Sequence, residues 1–268
     1  MHRVTPSVRL IAETSLLRDR DLTPEWYAWL ADLGVTRQPD WIGGADGERL
    51  IELSARRCYK AFEPGLNPNV TKIRENSEAY HKNILDSGHG SVLEHATATW
   101  AIENVSRVFT HELVRNRAGN AFSQESLRYV RLTDLGFWFP PELAEDEEAV
   151  RRGTEVIERL EEFQRWLAAH YEIESAKDFG RKKRLTSAFR RFAPIGLATG
   201  IVLTTNMRSL RWLIEQRTAP AAEVEIRLVF NQIARIAAER WTLIFQDFEE
   251  QDTGDGEIRA WVPKNHKV

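Results

Sequence analysis

The sequence predicts an α+β fold. Candidate strands and helices follow one another without the strict alternation of a doubly wound sheet. A chain of 268 residues can bury roughly 70–75% of its unfolded surface, as one large domain or two small ones. Hydrophobic residues at 42% and charged residues at 29% exclude a disordered or fibrous chain.

Residues 1–45 read as peripheral, a mixture of Trp, Pro and Gly. Residues 47–62 carry Leu50, Ile51, Leu53, Ala55 and Cys58 at helical spacing. A Pro- and Gly-rich loop follows at 63–69. Thr71 is placed to cap a second helix to about Ser87, with Ile73, Tyr80, Ile84 and Leu85 inward. Gly88-His89-Gly90-Ser91 breaks it. Residues 96–102 read as a strand, 105–114 as a helix and 122–132 as an extended segment. Residues 144–179 form a long charged helical region whose Glu and Arg face solvent. Helix continues over 185–192, and Pro194 and Gly196 interrupt it. Residues 198–205 read as a strand, Asn206 opens a helix to Arg217, and a last helix runs over 221–248. The resulting division is an N-terminal extension (1–46), a catalytic domain (47–250) and a C-terminal tail (251–268).

Composition narrows the function. The net charge of −3 argues against a nucleic-acid coat, and the absence of a long apolar run argues against a transmembrane helix. The first twenty residues lack the apolar stretch of a signal peptide, so a cytoplasmic location is expected. A single cysteine, Cys58, forms neither an internal disulfide nor a cysteine zinc site. No metal site is expected: His89, His95 and His111 have no ligand spacing. The dinucleotide, P-loop, zincin and nucleophile-elbow motifs are all missing. The basic residues divide into 29 Arg and 8 Lys. Codon bias explains such a total, so position along the chain must decide its meaning. Arg offers a planar fork that holds phosphate or carboxylate at two points.

Two segments concentrate these forks. In the first, an apolar helix ends in Arg115-Asn116-Arg117, Gly119 turns the chain, and an extended piece follows. On a strand, Gln124, Ser126 and Arg128 share one face, an amide, a hydroxyl and a guanidinium suited to a small anion. In the second, Arg190 precedes Pro194 and a strand, and Asn206 caps a helix carrying Arg208, Arg211 and Arg217. For Arg211 the simpler reading is preferred, a surface pair with Glu215.

Together the segments resemble the flavin-dependent thymidylate synthases. Their pattern of Arg-His-Arg, about seven residues, then Ser-x-Arg-Tyr corresponds to Arg115-Asn116-Arg117, eight residues, and Ser126-Leu127-Arg128-Tyr129. Gly88-His89-Gly90-Ser91-Val92-Leu93-Glu94-His95 is similar to the family's Gly-His-x-Ser-x-x-Glu-His block. Asn206-Met207-Arg208-Ser209-Leu210 and Arg217 are similar to its Asn-x-Arg-Ser-Leu…Arg block. The resemblance implies a single-domain fold with a mixed sheet and long helices, assembled as a homotetramer with shared active sites. It implies FAD, with NADPH as reductant and methylenetetrahydrofolate as one-carbon donor. The implied acceptor is dUMP; the alternatives are UMP, as in nucleoside-antibiotic pathways, or a catalytically impaired paralogue. By the same resemblance, Glu112, Gln124, Ser126, Arg128, Arg190 and Arg217 hold the nucleotide, with Arg217 and Ser126 at the reacting base. Arg115, Asn116, Arg117, Asn206, Arg208 and His95 belong to the flavin. The family uses no enzyme nucleophile, so Cys58 reads as a small helix-packed residue.

The chain departs from the pattern at four places. Asn116 replaces the motif's histidine, one extra residue precedes Ser126, and Ala221 stands where another histidine flanks the flavin. The family's Ala-Gln-Trp-Glu reads Ala222-Glu223-Val224-Glu225. Asparagine keeps a hydrogen-bond donor and loses the capacity for charge.

Overall fold

The computed structural model describes residues 1–17, 24–36, 42–128, 132–175 and 177–268. Tyr129 lies outside them. In chain order, β1 (His2–Arg3), β2 (Ser7–Glu13) and α1 (Pro24–Asp32) precede α2 (Asp46–Tyr59) and α3 (Ser77–Asp86). A 3-10 turn, Gly90–His95, leads into β3 (Thr97–Ser106), α4 (Arg107–Leu113), β4 (Asn120–Gln124) and β5 (Gly136–Phe137). Then come α5 (Pro141–Ala144), α6 (Glu147–His170), α7 (Phe179–Phe189), β6 (Ala198–Asn206), α8 (Met207–Thr218) and α9 (Val224–Arg240). The hairpin β7 (Phe248–Asp252) and β8 (Arg259–Pro263) follows.

The central sheet has the order β2-β3-β6-β4, and every pairing in it is antiparallel. The expectation of a mixed sheet is therefore corrected; among the described residues the parallel pairing is the short β1–β5 ladder outside this sheet. Alternation sets the buried face: Ala98, Trp100 and Ile102 of β3 and Ile201 and Leu203 of β6 are within 1% of full burial. Across the strands Leu10, Trp100, Leu203 and Phe122 fall in register on that face. Helices α8 and α9 cover it with Leu210, Leu213, Ile214, Val229, Phe230 and Ile233. The strand β3 outruns its expected end at 102 because a bulge intervenes. Asn104 takes φ +61°, the register shifts, and Val105 and Ser106 rejoin the ladder.

Several boundaries move for local reasons. The second helix begins at Ser77, not near Thr71, because the Asn76 side chain accepts from Ala79 N at 2.9 Å. The charged helix stops at His170 and α7 starts at Phe179; Glu172 has φ +49° and Asp178 caps α7. The extended segment pairs only over Asn120–Gln124. The last helix stops at Arg240 because the buried Glu48 carboxylate accepts Leu243 N at 2.7 Å and Ile244 N at 3.2 Å, folding that stretch back.

Both ends of the chain pack onto the central unit. Strand β2 completes one edge of the central sheet. In the C-terminal stretch, Trp261 N donates to Thr218 Oγ1 at 2.9 Å, and Trp261 and Val268 enter the core. Glu225, buried at the start of α9, accepts Ser106 N at 2.6 Å and also bonds the Ser106 hydroxyl, which caps α4. Burial raises its carboxyl above the ordinary glutamate value of 4.5. A folded-state pKa above the unfolded one gives stability that is full below the unfolded value and declines as pH rises through the raised one. Gln still accepts Ser106 N through its oxygen, can donate its amide NH2 to the Ser106 hydroxyl oxygen, and carries no charge. Glu225→Gln should therefore gain stability relative to the parent as pH rises through that window, read by urea unfolding at pH 4 and pH 8. A pH-independent difference would show that the carboxyl does not titrate this way.

Candidate active site

Antiparallel pairing of β4 with β6 brings the two arginine segments together, setting Asn120 opposite Thr205. The loop between α4 and β4 is fastened to the start of α8. Asn206 N donates to Gly119 O at 3.0 Å, Ser209 Oγ to Ala118 O at 2.8 Å, and Asn120 Nδ2 to Ser209 Oγ at 2.9 Å. The Asn206 side chain meanwhile caps α8, accepting Ser209 N at 2.8 Å. Gly119 sits at φ +72°, where a Cβ would fall 2.5 Å from Asn206 Nδ2, so this close approach requires glycine.

The result is a cavity of about 530 Å³ walled by Arg115, Asn116, Arg117, Asn206, Arg208 and their neighbours. Three guanidinium groups and the amino end of α8 face one space, the setting in which a diphosphate is held. Arg208 is paired with Glu94 at 2.7 Å. Both are nearly half exposed, so the pair constrains Arg208 weakly against a phosphate. Asn116 donates to Leu113 O at 3.1 Å, closing the end of α4. The donor set fits a flavin dinucleotide: arginine forks and the amino end of α8 for its diphosphate, and amides for a ring edge.

The helix ends at Leu113, so Arg115 and Arg117 lie beyond it rather than in its last turn. A second group of expected residues gathers elsewhere. Arg217, at the end of α8, donates from Nη1 to Glu112 Oε2 and from Nη2 to Glu112 O, each at 3.3 Å. Its Nε is buried without a hydrogen-bond partner. Along α8, Arg217 lies roughly 13 Å from Arg208. The Glu223 carboxyl is pushed up, chiefly by burial, with Glu112 among the charges adding to the rise. Glu223, which replaces the family's glutamine, caps α9 by accepting Glu225 N and Ile226 N.

Gln124, Ser126 and Arg128 do not share a strand face, because β4 ends at Gln124. Gln124 Nε2 donates to Thr110 Oγ1 at 2.9 Å, and Arg128 Nε is buried without a partner. Arg190 is exposed in a 3-10 turn and lies close enough to Arg107 to depress the Arg107 pKa, behind the larger effect of burial. Arg107 also has an unpartnered buried Nε, beside its bond to Glu125 O at 2.9 Å. Sequence reading missed Arg107; its place at the first turn of α4 gave no signal without the Glu125 and Arg190 contacts. His95 is exposed at the end of its 3-10 turn and is not part of the cavity wall. Cys58 is exposed rather than helix-packed. Arg211, read as a surface partner of Glu215, is buried and paired with Asp247 at 2.7 Å. A further cavity of about 770 Å³, between α2, the 67–74 loop and α3, was not expected from sequence; Arg56, Tyr59, Lys72, Arg74 and His89 line it. Among the described residues no helix is long and apolar enough to cross a membrane.

Fold and site define an α+β protein with arginine-lined positions beside an antiparallel sheet. The family model described as "Thymidylate synthase complementing protein" matches residues 42–241. A flavin-dependent thymidylate synthase of Mycobacteroides abscessus is 33% identical over 265 residues, covering 96% of this chain and 95% of the relative. One from Corynebacterium diphtheriae is 31% identical, covering 90% and 91%. The chain belongs to the flavin-dependent thymidylate synthase family, and is a methyltransferase-type enzyme. Two solved structures share the fold. A UMP/dUMP methylase from Streptomyces cacaoi, bound with 5-Br dUMP, has a TM-score of 0.61 at 16% identity, covering 91% of this chain and 95% of that one. Thymidylate Synthase X from Helicobacter pylori, with FAD and dUMP, has a TM-score of 0.50 at 20% identity, covering 70% and 87%.

Proposed function

We propose that this enzyme methylates C5 of a uracil nucleotide, converting dUMP to dTMP. FAD would be its cofactor, methylenetetrahydrofolate its one-carbon donor and NADPH its reductant. The observation that carries the reading is the convergence of Arg115, Arg117, Asn206 and Arg208 on one cavity in a chain of this family. In this reading Arg115, Arg117 and Arg208 hold the diphosphate of FAD, and Asn116 and Asn206 orient it. FAD supplies hydride transfer when bound. Arg217, held by Glu112, faces the uracil edge, where its charge favours the anionic, activated base. Gln124, Ser126, Arg128 and Arg190 contribute an amide, a hydroxyl and cations for the nucleotide's phosphate and sugar. His95 adjoins the wall residue Glu94 and would act at the flavin from there. The proposed assembly is a homotetramer with shared active sites, and a solution mass about four times 30.9 kDa tests it.

UMP is the alternative acceptor. The fold shared with the UMP/dUMP methylase favours keeping it in the assay. Purified protein should release C5 tritium from labelled dUMP in the presence of NADPH and methylenetetrahydrofolate. Release from UMP alone would transfer the assignment to the ribonucleotide, and release from neither would defeat the proposal. Arg117→Ala should weaken FAD binding about tenfold, the worth of one charge-assisted hydrogen bond. Undiminished FAD affinity in that variant would separate the cavity from the cofactor.

A further inference from the structure

Two parts of the arginine cavity wall play no role in the motifs: an aromatic side chain on α8 and the C-terminal stretch. Trp212 stands on α8 one turn beyond Arg208, on the same face, and is 45% exposed. Opposite the arginine loop, the cavity is bounded by His266, Lys267 and Val268. This C-terminal stretch is fastened to buried groups on both sides of two exposed side chains, His266 and Lys267. Lys264 N donates to Asp247 O at 2.9 Å and Asn265 N to Asp247 Oδ2 at 3.2 Å. Beyond them, Val268 O accepts from the buried Arg211 Nε at 3.2 Å, and the Val268 side chain is in the core. His266 Nδ1 lies 2.6 Å from Glu215 Oε1, which ties the imidazole to α8.

We propose that Trp212 and Lys267, with His266 bracing the segment, form a clamp for a planar heteroaromatic ring joined to a diphosphate. The inference rests on reading this cavity as the flavin dinucleotide site, and it names which of the chain's own residues complete that site. An exposed indole on a cavity wall offers a stacking face, which for a base is worth about 1–3 kcal/mol. The Lys267 ammonium adds a cation to those of Arg115, Arg117 and Arg208, against Glu94 as the acidic side chain of the wall. An anion entering here therefore meets a surplus of positive charge. The anchored backbone keeps Lys267 near the cavity, so little further ordering is needed on binding.

The test titrates the full-length protein with FAD, following flavin fluorescence, for the parent, Trp212→Ala, Lys267→Gln and Arg117→Ala. Both clamp side chains are exposed, so unchanged thermal unfolding of the apo variants is expected. Each clamp variant should bind FAD about tenfold more weakly. Lys267→Gln should also reduce the dependence of affinity on salt. Competition by ADP and by FMN distinguishes the two rings of the dinucleotide. Loss of ADP affinity in Trp212→Ala places adenine on the indole, loss of FMN affinity places the flavin ring there, and either result supports the clamp. Parent-like FAD affinity in either clamp variant, alongside weakened binding in Arg117→Ala, overturns the clamp and leaves the proposed function standing. A parent protein that binds no FAD overturns both.

Discussion

Replacing Arg217 by alanine should lower turnover roughly a hundredfold or more, the effect of removing one preorganised donor from a developing anion. Bound flavin should stay close to the parent level. The expectation follows from position. Arg217 closes the opposite end of α8 from the Arg115, Arg117 and Arg208 cavity, so its loss leaves that cavity's donors in place. Its side chain is 19% exposed, and its two contacts to Glu112 are long, at 3.3 Å. A buried Nε without a partner adds a donor that a bound acceptor would satisfy. Lysine keeps the charge without the two-point fork, so Arg217→Lys should recover only part of the rate. Glu112→Gln should cost less than either, because Gln still accepts from Nη1 and the Glu112 backbone carbonyl still holds Nη2. The measurement is tritium release at saturating nucleotide, with flavin content read from the absorption spectrum. Full turnover in Arg217→Ala would remove Arg217 from the reacting base. Parallel loss of flavin and rate would instead make it part of the cofactor site.

The regular elements were legible where a single period dominated. Residues 198–205 alternate, and Asn206 caps the helix after them because its side chain reaches Ser209 N. Residues 105–114 were harder: a bulge at Asn104 carries two of them into β3 without any break in the apolar pattern. The helix expected through Phe248 ends at Arg240 because of Glu48, almost 200 positions earlier, and no local signal carries that. The cavity arginines were legible because Arg115, Arg117 and Arg208 sit in short ordered motifs. Arg107, Trp212 and Lys267 were not. Their relevance comes from what β4–β6 pairing and the C-terminal hairpin bring beside them, which is a tertiary fact.

Arg211 shows the cost of reading helical spacing alone, and it carries the largest expected stability effect. Spacing offered Glu215 as a surface partner. The fold instead buries the guanidinium, with Nη1 and Nη2 on Asp247 at 2.7 and 3.0 Å, Nε on Val268 O, and Nη1 also on Ile244 O. Its plane lies 4.8 Å from the Phe248 ring centroid. One side chain therefore joins α8, the turn after α9 and the C-terminal segment. Arg211→Ala removes those bonds and leaves the Asp247 carboxylate buried without its cation, which costs about 3–5 kcal/mol. An exposed arginine such as Arg151, paired on α6 with Glu148, should by contrast leave stability almost unchanged on truncation. The double variant Arg211→Leu with Asp247→Asn should recover part of the loss, since no unpaired charge remains. Urea midpoints for the three proteins measure this directly. Because the same anchor holds residues 264–268 against the cavity, FAD affinity should fall in Arg211→Ala even under conditions where the variant is fully folded. A loss of stability below about 1 kcal/mol would place Arg211 among ordinary surface pairs after all. A large loss with unchanged FAD affinity would separate the C-terminal segment from the cofactor site while leaving the buried ion pair as the fastening of the fold.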